Sequence, residues 1–244
     1  MVFLSSHLHA IITDPHGVYP KFLERFFKLS AKCLNAHYGR WGALWDKSQP
    51  NVVHLADLDA AIGWHVYLYC NPSKANLVTR ASDWPGVVSW RSMVRGVKFG
   101  DVRPDWYFDS KGPVPEEAWV DIVPPPMFDG TADEWRELIV TKVREKEKEY
   151  TAARNRRGRR VLGRKGVMRQ WHYSSPDIPE DRRVVQKRVA ARDKWARIEA
   201  ILRDKQWLAD YAEALAALKR GVLDVIFPAH SWKVATLGLL VAPG

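Results

Sequence analysis

The sequence predicts an α+β protein in which a small antiparallel sheet with helices packed on it is followed by a basic, mainly α-helical region. Short runs rich in apolar and β-branched residues early in the chain are typical of strands, and longer runs show helical periodicity. Residues 131–244 hold 25 Lys/Arg against 15 Asp/Glu, whereas residues 1–130 hold 13 of each, so the second half carries the whole net charge of +10. Such asymmetry is typical of a region that binds a polyanion.

Four elements are predicted in the first half, in chain order. Residues 2–13 have the composition of a strand that ends in the turn sequence "DPHG". Apolar residues at helical spacing then predict an amphipathic helix over residues 20–35. The run "NVVHLA", residues 51–56, predicts a second strand, and residues 57–71 predict a second helix that stops near the "NP" dipeptide.

The second half begins after a stretch without periodicity. Residues 99–130 are rich in Pro, Gly, Asp and Trp and predict a linker between a core at residues 1–98 and a helical region at residues 131–244. "TADE" predicts a capping box at the start of a helix whose inward face carries Trp135, Leu138, Ile139 and Val143. Two further helices are predicted over residues 183–203 and 206–222, and "VREKEKEY", residues 143–150, predicts a solvated face.

Composition narrows the class of protein. Two cysteines, Cys33 and Cys70, are too few for a disulfide framework or a cysteine-built zinc site, so we expect a reducing, cytoplasmic location. The longest apolar stretch is about half of what a membrane span needs, and no basic leader with a cleavage site is evident. We therefore expect no membrane partner.

The segment "SSHLHAII" places two histidines one residue apart. Alternate side chains of a strand point to the same face, so His7 and His9 are expected to lie side by side while Leu8 points away. Two neutral imidazoles at that distance can bind one divalent cation. The pattern alone is a weak indication of a metal site, since it is more often that of two strand histidines with polar partners.

The second predicted helix offers residues that would complement the histidines. At 100° per residue, Tyr67 points away from the apolar stripe of its own helix, and Asn71 follows one turn later on the same face. An asparagine oxygen can complete a hard-cation site, and a tyrosine beside such a site is a candidate nucleophile. A surface tyrosine and a helix-terminal asparagine are the structural alternatives.

Together these residues carry a family resemblance. "HLH", "NAHYGRWGALW", "YLYCNPSKANLV" and "WPGVVSW" occur in the order and approximate spacing found in HUH-type single-tyrosine transposases, especially the REP-associated tyrosine transposases. The resemblance covers about residues 1–95. It implies a ferredoxin-like HUH core, N-terminally truncated because the family's preceding strand and helix have no counterpart before His7.

The resemblance also implies a site and a reaction. His7 and His9 resemble the metal-binding pair, Asn71 the third ligand and Tyr67 the catalytic nucleophile. The implied activity is DNA transposition, by metal-dependent cleavage and rejoining of single-stranded DNA through a 5′ phosphotyrosine intermediate. Mg²⁺ or Mn²⁺ suits this donor set, while Zn²⁺ is not demanded. The implied partner is single-stranded or hairpin DNA, and a homodimer stays open because some relatives share active sites between protomers and others work alone.

The second half contains a run of cations with no acidic residue, "RNRRGRRVLGRKGVMR", residues 154–169. We expect it to bind DNA phosphates, with the alternative of an untethered basic linker. Trp171, His172 and Tyr173 follow as candidate base-stacking residues. The predicted contacts are Arg154, Arg156, Arg157, Arg159, Arg160, Arg164, Lys165 and Arg169.

The sequence also allows other interpretations of the function. A catalytically inactive DNA-binding protein, either a decayed transposase or a repressor of its own element, is the main alternative. An RNA-binding module is a third. Trp41 and Trp45 are expected to pack in the core, with base stacking as the alternative.

Overall fold

The computed structural model describes residues 1–46, 50–171 and 187–243, and within them the protein is mixed α/β. Seven α-helices, one 3₁₀ turn and four two-stranded sheets make up this part of the chain. In the same residues, every helix is too short or too polar to cross a lipid bilayer. The predicted stacking residues His172 and Tyr173 lie outside the described residues.

Contacts divide the chain into two compact units. Unit 1 comprises Met1–Ile12, Asp57–Pro104 and Ser110–Lys187, and unit 2 comprises Thr13–Ala56, Asp105–Asp109 and Arg188–Gly244. The composition-based boundaries near residues 98 and 130 both fall inside unit 1. Internal contacts thus divide the chain differently from the shift in composition.

Unit 1 begins with a hairpin instead of the single strand predicted over residues 2–13. Strand β1 (Val2–Phe3) pairs antiparallel with strand β2 (Leu8–His9). The prediction was wrong because two serines between the strands form a turn, which Leu4 N–H closes on the His7 carbonyl at 2.8 Å. On its other edge β1 is joined by Val87, whose carbonyl accepts from Phe3 N–H at 2.9 Å.

Helix α2 (Leu58–Lys74) carries the predicted nucleophile. The Asp57 side chain caps its start by accepting from Ala60 N–H at 2.6 Å. The helix continues two residues beyond Pro72, near which it was predicted to stop. Proline removes one helical hydrogen bond, but the side chain of Pro72 is fully buried and Ala75 N–H still donates to the Asn71 carbonyl at 3.0 Å.

Helix α4 (Ala132–Arg156) packs against α2 and forms the core of unit 1 with it. The predicted capping box between Thr131 and Glu134 is confirmed, and three of the four predicted inward residues, Trp135, Ile139 and Val143, are at most 1% exposed. The solvated face predicted over residues 143–150 is wrong at Glu147, which is 7% exposed.

That buried carboxylate has a structural role. Its Oε1 accepts from the backbone N–H of Ala81, at the start of the 3₁₀ turn Ala81–Asp83, at 2.6 Å. Burial raises the pKa of Glu147, while the hydrogen bond from Ala81 opposes that rise. Helical periodicity could not reveal this arrangement because the partner is distant in sequence.

The remaining elements of unit 1 are short. Helix α3 (Trp90–Arg95) follows the 3₁₀ turn, and helix α5 (Gly163–Arg169) lies in the basic run. Strands β4 (Phe99–Val102) and β5 (Glu117–Val120) form an antiparallel hairpin inside the segment predicted as a linker. The prediction missed them because both strands are largely exposed and show no apolar alternation.

Unit 2 contains the first predicted helix, which is confirmed as α1 (Tyr19–Tyr38). The predicted strand over residues 51–56 is reduced to β3 (His54–Leu55), which pairs in parallel with β6 (Val189–Ala190). The backbone hydrogen bonds that join β3 to β6 could not be predicted from the local sequence, because the partner strand lies more than 130 residues away.

The C-terminal part of unit 2 has one long helix where two were predicted. Helix α6 (Lys194–Lys219) begins at Asp193, whose side chain accepts from Ala196 N–H at 2.6 Å, and it runs unbroken because no Gly or Pro interrupts it. Strand β7 (Ile226–Phe227), helix α7 (Trp232–Thr236) and strand β8 (Leu240–Val241) follow, with β7 and β8 parallel.

Candidate functional site

The two histidines lie on one face of the N-terminal hairpin. His7 ends the turn and His9 lies in β2, so their side chains point to the same side with ring centroids 5.0 Å apart and planes at 83°. His7 is exposed, and its Nδ1 is 2.9 Å from the Ser6 hydroxyl. His9 is partly buried.

Helix α2 brings Tyr67 to the same place. The Tyr67 and His9 ring centroids are 5.5 Å apart, with planes at 78°. Tyr67 is partly exposed, whereas its neighbours Leu68 and Tyr69 are 2% exposed and face the core. Two imidazoles and a phenol, separated by about sixty positions in the chain, therefore form one edge-to-face cluster.

His9 has the protonation state that a metal ligand requires. Burial and the neighbouring His7 lower the pKa of His9 to about 4, so the ring is neutral at physiological pH. Its Nε2 is buried and has no hydrogen-bond partner among the described residues. A neutral imidazole with an unused ring nitrogen has the chemistry to bind a cation.

Asn71 lies one helical turn after Tyr67 and is 7% exposed. In the part of the chain that the structure describes, no group of three or more His, Cys, Asp or Glu could hold a metal ion. The predicted donor set therefore depends on the Asn71 amide as the third protein ligand, beside His7 and His9.

Two residues of the cluster were missed by the sequence analysis. Trp64 contacts Tyr67 edge to face with ring centroids 5.4 Å apart, and Lys74 places its Nζ 4.8 Å from the Tyr67 ring centroid. They stand three residues before and seven residues after Tyr67 on the same helix, so helical spacing could have found both. Lys74 supplies a positive charge beside the phenol.

The basic run is mostly available to a ligand, with one exception. Seven of the eight predicted contacts are exposed, namely Arg156, Arg157, Arg159, Arg160, Arg164, Lys165 and Arg169. Arg154 is 7% exposed, and its Nη2 donates to Thr151 Oγ1 at 3.1 Å. The prediction of a surface contact at Arg154 is therefore wrong, because the inward face of α4 carries this side chain into the protein.

Backbone hydrogen bonds fix where the basic run lies. Leu162 N–H donates to the Asn76 carbonyl at 3.0 Å, and Gly163 N–H donates to the Leu77 carbonyl at 2.9 Å. Asn76 and Leu77 come just after Ala75, the C-cap of α2, so the run is attached near the end of the helix that carries Tyr67. The run is thus tethered, which excludes the untethered linker.

The two tryptophans expected in the core differ from each other. Trp45 is partly buried against α1, with its ring centroid 5.1 Å from that of Phe27 and its Nε1–H donating to the Phe27 carbonyl at 3.1 Å. Trp41 is 97% exposed, so the expectation of core packing was wrong for this residue. It lies in the loop directly after α1, where no element covers it.

The arrangement in unit 1 combines a phenol, two imidazoles and a nearby positive charge. Such a set suits attack on a phosphodiester, since the donor residues add no negative charge that would repel the phosphate. Comparison of the chain with protein-family models, curated proteins and solved structures gave no match. The functional argument therefore depends on the residues and their geometry.

Proposed function

We propose that this chain is a transposase-like enzyme that cleaves and rejoins single-stranded DNA through a covalent phosphotyrosine, using a divalent metal ion. The proposal includes the finer fold assignment, a ferredoxin-like core of the HUH type. The observation that carries it is the cluster of His7, His9 and Tyr67, with ring centroids 5.0 and 5.5 Å apart. Residues this distant in sequence have no local reason to meet.

The donor set suits a divalent cation. His7, His9 and Asn71 would hold it, and the unpartnered, buried Nε2 of His9 is the feature that such an ion would satisfy. When bound, Mg²⁺ or Mn²⁺ would polarise the scissile phosphate and stabilise the charge that develops on it. Neutral ligands leave the full charge of the ion available for this purpose.

Tyr67 is the nucleophile in the proposed reaction. Its Oη forms a bond to the scissile phosphorus while the bond from phosphorus to the 3′ oxygen breaks. The phenol proton leaves to solvent, and the departing 3′ oxygen takes up a proton. The 5′ phosphate stays esterified to Tyr67, and a 3′ hydroxyl can later reverse the step, so no external energy source is needed.

Lys74 and the basic run prepare the substrate for this step. The Lys74 ammonium lies over the Tyr67 ring, where its positive charge would attract the scissile phosphate. The seven exposed cations between Arg156 and Arg169 would hold the phosphates of a strand that leads to the end of α2.

A covalent adduct is the direct test. Protein mixed with a hairpin-bearing single-stranded oligonucleotide and Mg²⁺ or Mn²⁺ should give a protein–DNA band that survives a denaturing gel. Tyr67→Phe, His9→Ala and chelation should each abolish the band, while the matched variant Tyr19→Phe should keep it. Adduct formation by Tyr67→Phe would contradict the assigned nucleophile.

The main alternative is a DNA-binding protein without catalysis, which the exposed basic run favours independently of the histidine cluster. The same experiment separates the two functions. Salt-dependent DNA binding without an adduct at any metal concentration supports the alternative. Equal or tighter binding of RNA, with no dependence on His7 or His9, would instead indicate an RNA-binding module.

A further inference from the structure

We propose that unit 2 carries a second single-stranded DNA surface, formed by a row of cations on helix α1 and by the exposed Trp41. We call this row the basic stripe, and it consists of Lys21, Arg25, Lys28 and Lys32. The choice of DNA as the ligand rests on the proposed function. The surface itself belongs to unit 2 and involves none of the residues of the tyrosine cluster.

The basic stripe is a consequence of spacing. Its members are separated by four, three and four residues, which at 100° per residue places all four within an arc of about 60°. The row extends about 16 Å along the helix axis. All four side chains are exposed, and none forms an ion pair with another described residue.

The composition of α1 separates charge from apolar surface. Glu24 is the one acidic residue among the twenty of α1, and it flanks the stripe about 40° from Lys28, so the row of four cations itself contains a single sign of charge. Apolar residues such as Phe26 and Cys33 lie on another side of the helix, at least about 80° from the nearest cation of the stripe. A solvated helix face usually mixes charges of both signs, whereas a linear row of one sign complements a phosphate backbone.

Trp41 stands at the C-terminal end of the stripe, in a loop that hydrogen bonds hold in place. Arg40 N–H donates to the Asn35 carbonyl at 2.8 Å, and Asn35 Nδ2 donates to the Gly42 carbonyl at 2.9 Å. Asn35 follows Lys32 by three residues on the helix, so these bonds fasten the loop beside the last cation of the stripe. The indole itself is 97% exposed.

A row of cations with an exposed indole at its end is the combination that binds single strands. Cations along a groove or helix track the phosphates, and aromatic rings stack on bases that are free to turn outward. In a duplex the bases are already stacked and paired, so an indole outside the helix gains little. We therefore assign single-stranded DNA, and not duplex DNA, to this surface.

The test is binding of a fluorescent oligo-dT, followed by anisotropy in excess chelator so that no metal-dependent step occurs. Trp41→Ala should weaken binding roughly tenfold, which is about 1.4 kcal/mol, because the variant loses the stacking of one base. The matched variant Trp195→Ala, at another exposed tryptophan of unit 2, should bind like the wild type.

Salt dependence tests the stripe separately. Lys28→Gln combined with Lys32→Gln should reduce the magnitude of the log–log salt slope by about 1.4, since each phosphate contact on a single strand contributes about 0.7. The pair Arg197→Gln and Lys205→Gln, exposed on α6, is the matched control and should leave the slope unchanged. Circular dichroism confirms that each variant is folded.

Wild-type affinity in Trp41→Ala, or a wild-type slope in the stripe variant, would overturn the proposal. Duplex DNA or RNA of the same length bound as tightly as oligo-dT would overturn the assigned ligand. Because the assay contains chelator, its outcome is independent of the adduct experiment. A chain that forms no adduct but loses binding in both variants would contradict the proposed enzyme and support this surface.

Discussion

Burial of His9 predicts that the stability of the fold depends on pH, with a direction fixed by the sign of the pKa shift. The folded-state pKa of His9 is lowered from 6.5 to about 4, mainly by burial and then by His7. Between those two values the unfolded chain binds a proton that the folded chain does not. Stability is therefore complete above about pH 6.5 and is lost as the pH falls toward 4.

The magnitude follows from the same shift. If the ring were fully shielded, the contribution lost between pH 7.5 and pH 4.5 would be about 2.5 kcal/mol. His9 is only partly buried, so solvent screening reduces this value and we expect about 1 kcal/mol. His9→Gln removes the titrating group, so the variant should lose less stability over this range than the wild type.

Urea unfolding of both proteins at pH 7.5 and pH 4.5 gives the comparison, and the difference between their losses isolates His9 from other titrating groups. An NMR titration of the ring protons measures the same pKa directly, with a midpoint below 5 expected. Equal losses in the two proteins, together with a midpoint near 6.5, would refute the burial of this imidazole and remove the support for a neutral donor.

Three further predictions concern catalysis, DNA binding and packing. Lys74→Met should slow adduct formation about fivefold. Lys74→Arg should restore most of the rate, because it keeps a positive charge beside the phenol. Equal initial rates in the two variants across pH would exclude a role for this charge. If the basic run binds six phosphates, the log–log salt slope of the wild type for single-stranded DNA should be about −4. Replacing Arg159 and Arg160 with Gln should lower the magnitude of that slope by about 1.4. An unchanged slope would show that the run does not bind DNA. Ile139→Ala should lower the free energy of unfolding in urea by about 2–5 kcal/mol, because the side chain is fully buried against α2. Ile201 is 39% exposed, so Ile201→Ala should lower it by less than about 1 kcal/mol. Similar losses at the two positions would contradict the assigned core.

Amphipathic helices were the most predictable part of the fold. Helices α1, α2 and α4 were anticipated because apolar residues repeat at helical spacing, and the capping box at Thr131 also marked the start of α4. The short strands were not anticipated. A two-residue strand such as β3 forms because it pairs with a strand far along the chain, and the local sequence contains no pattern that identifies this partner.

Parts of the candidate site were predictable because they depend on one element at a time. The shared face of His7 and His9 follows from strand alternation, and the outward direction of Tyr67 follows from helical periodicity. The burial of Arg154 was not predictable from composition, because a basic run is expected to be exposed along its whole length. Which of its cations points inward depends on how α4 packs in the folded protein.

The net charge of a segment does not show where its charged side chains lie on the protein surface. Residues 1–130 are neutral overall, yet α1 collects four of their cations on one arc and contains one acidic residue. A helix sorts residues by angle, so a neutral segment can present a strongly basic face when its acidic residues lie in other elements. A ligand contacts a surface and not a sequence segment, and electrostatic attraction at that surface is largely screened beyond about 8 Å at physiological salt. Among the described residues, the basic stripe on α1 is therefore a cationic surface in addition to the basic run, although its own segment has no net charge.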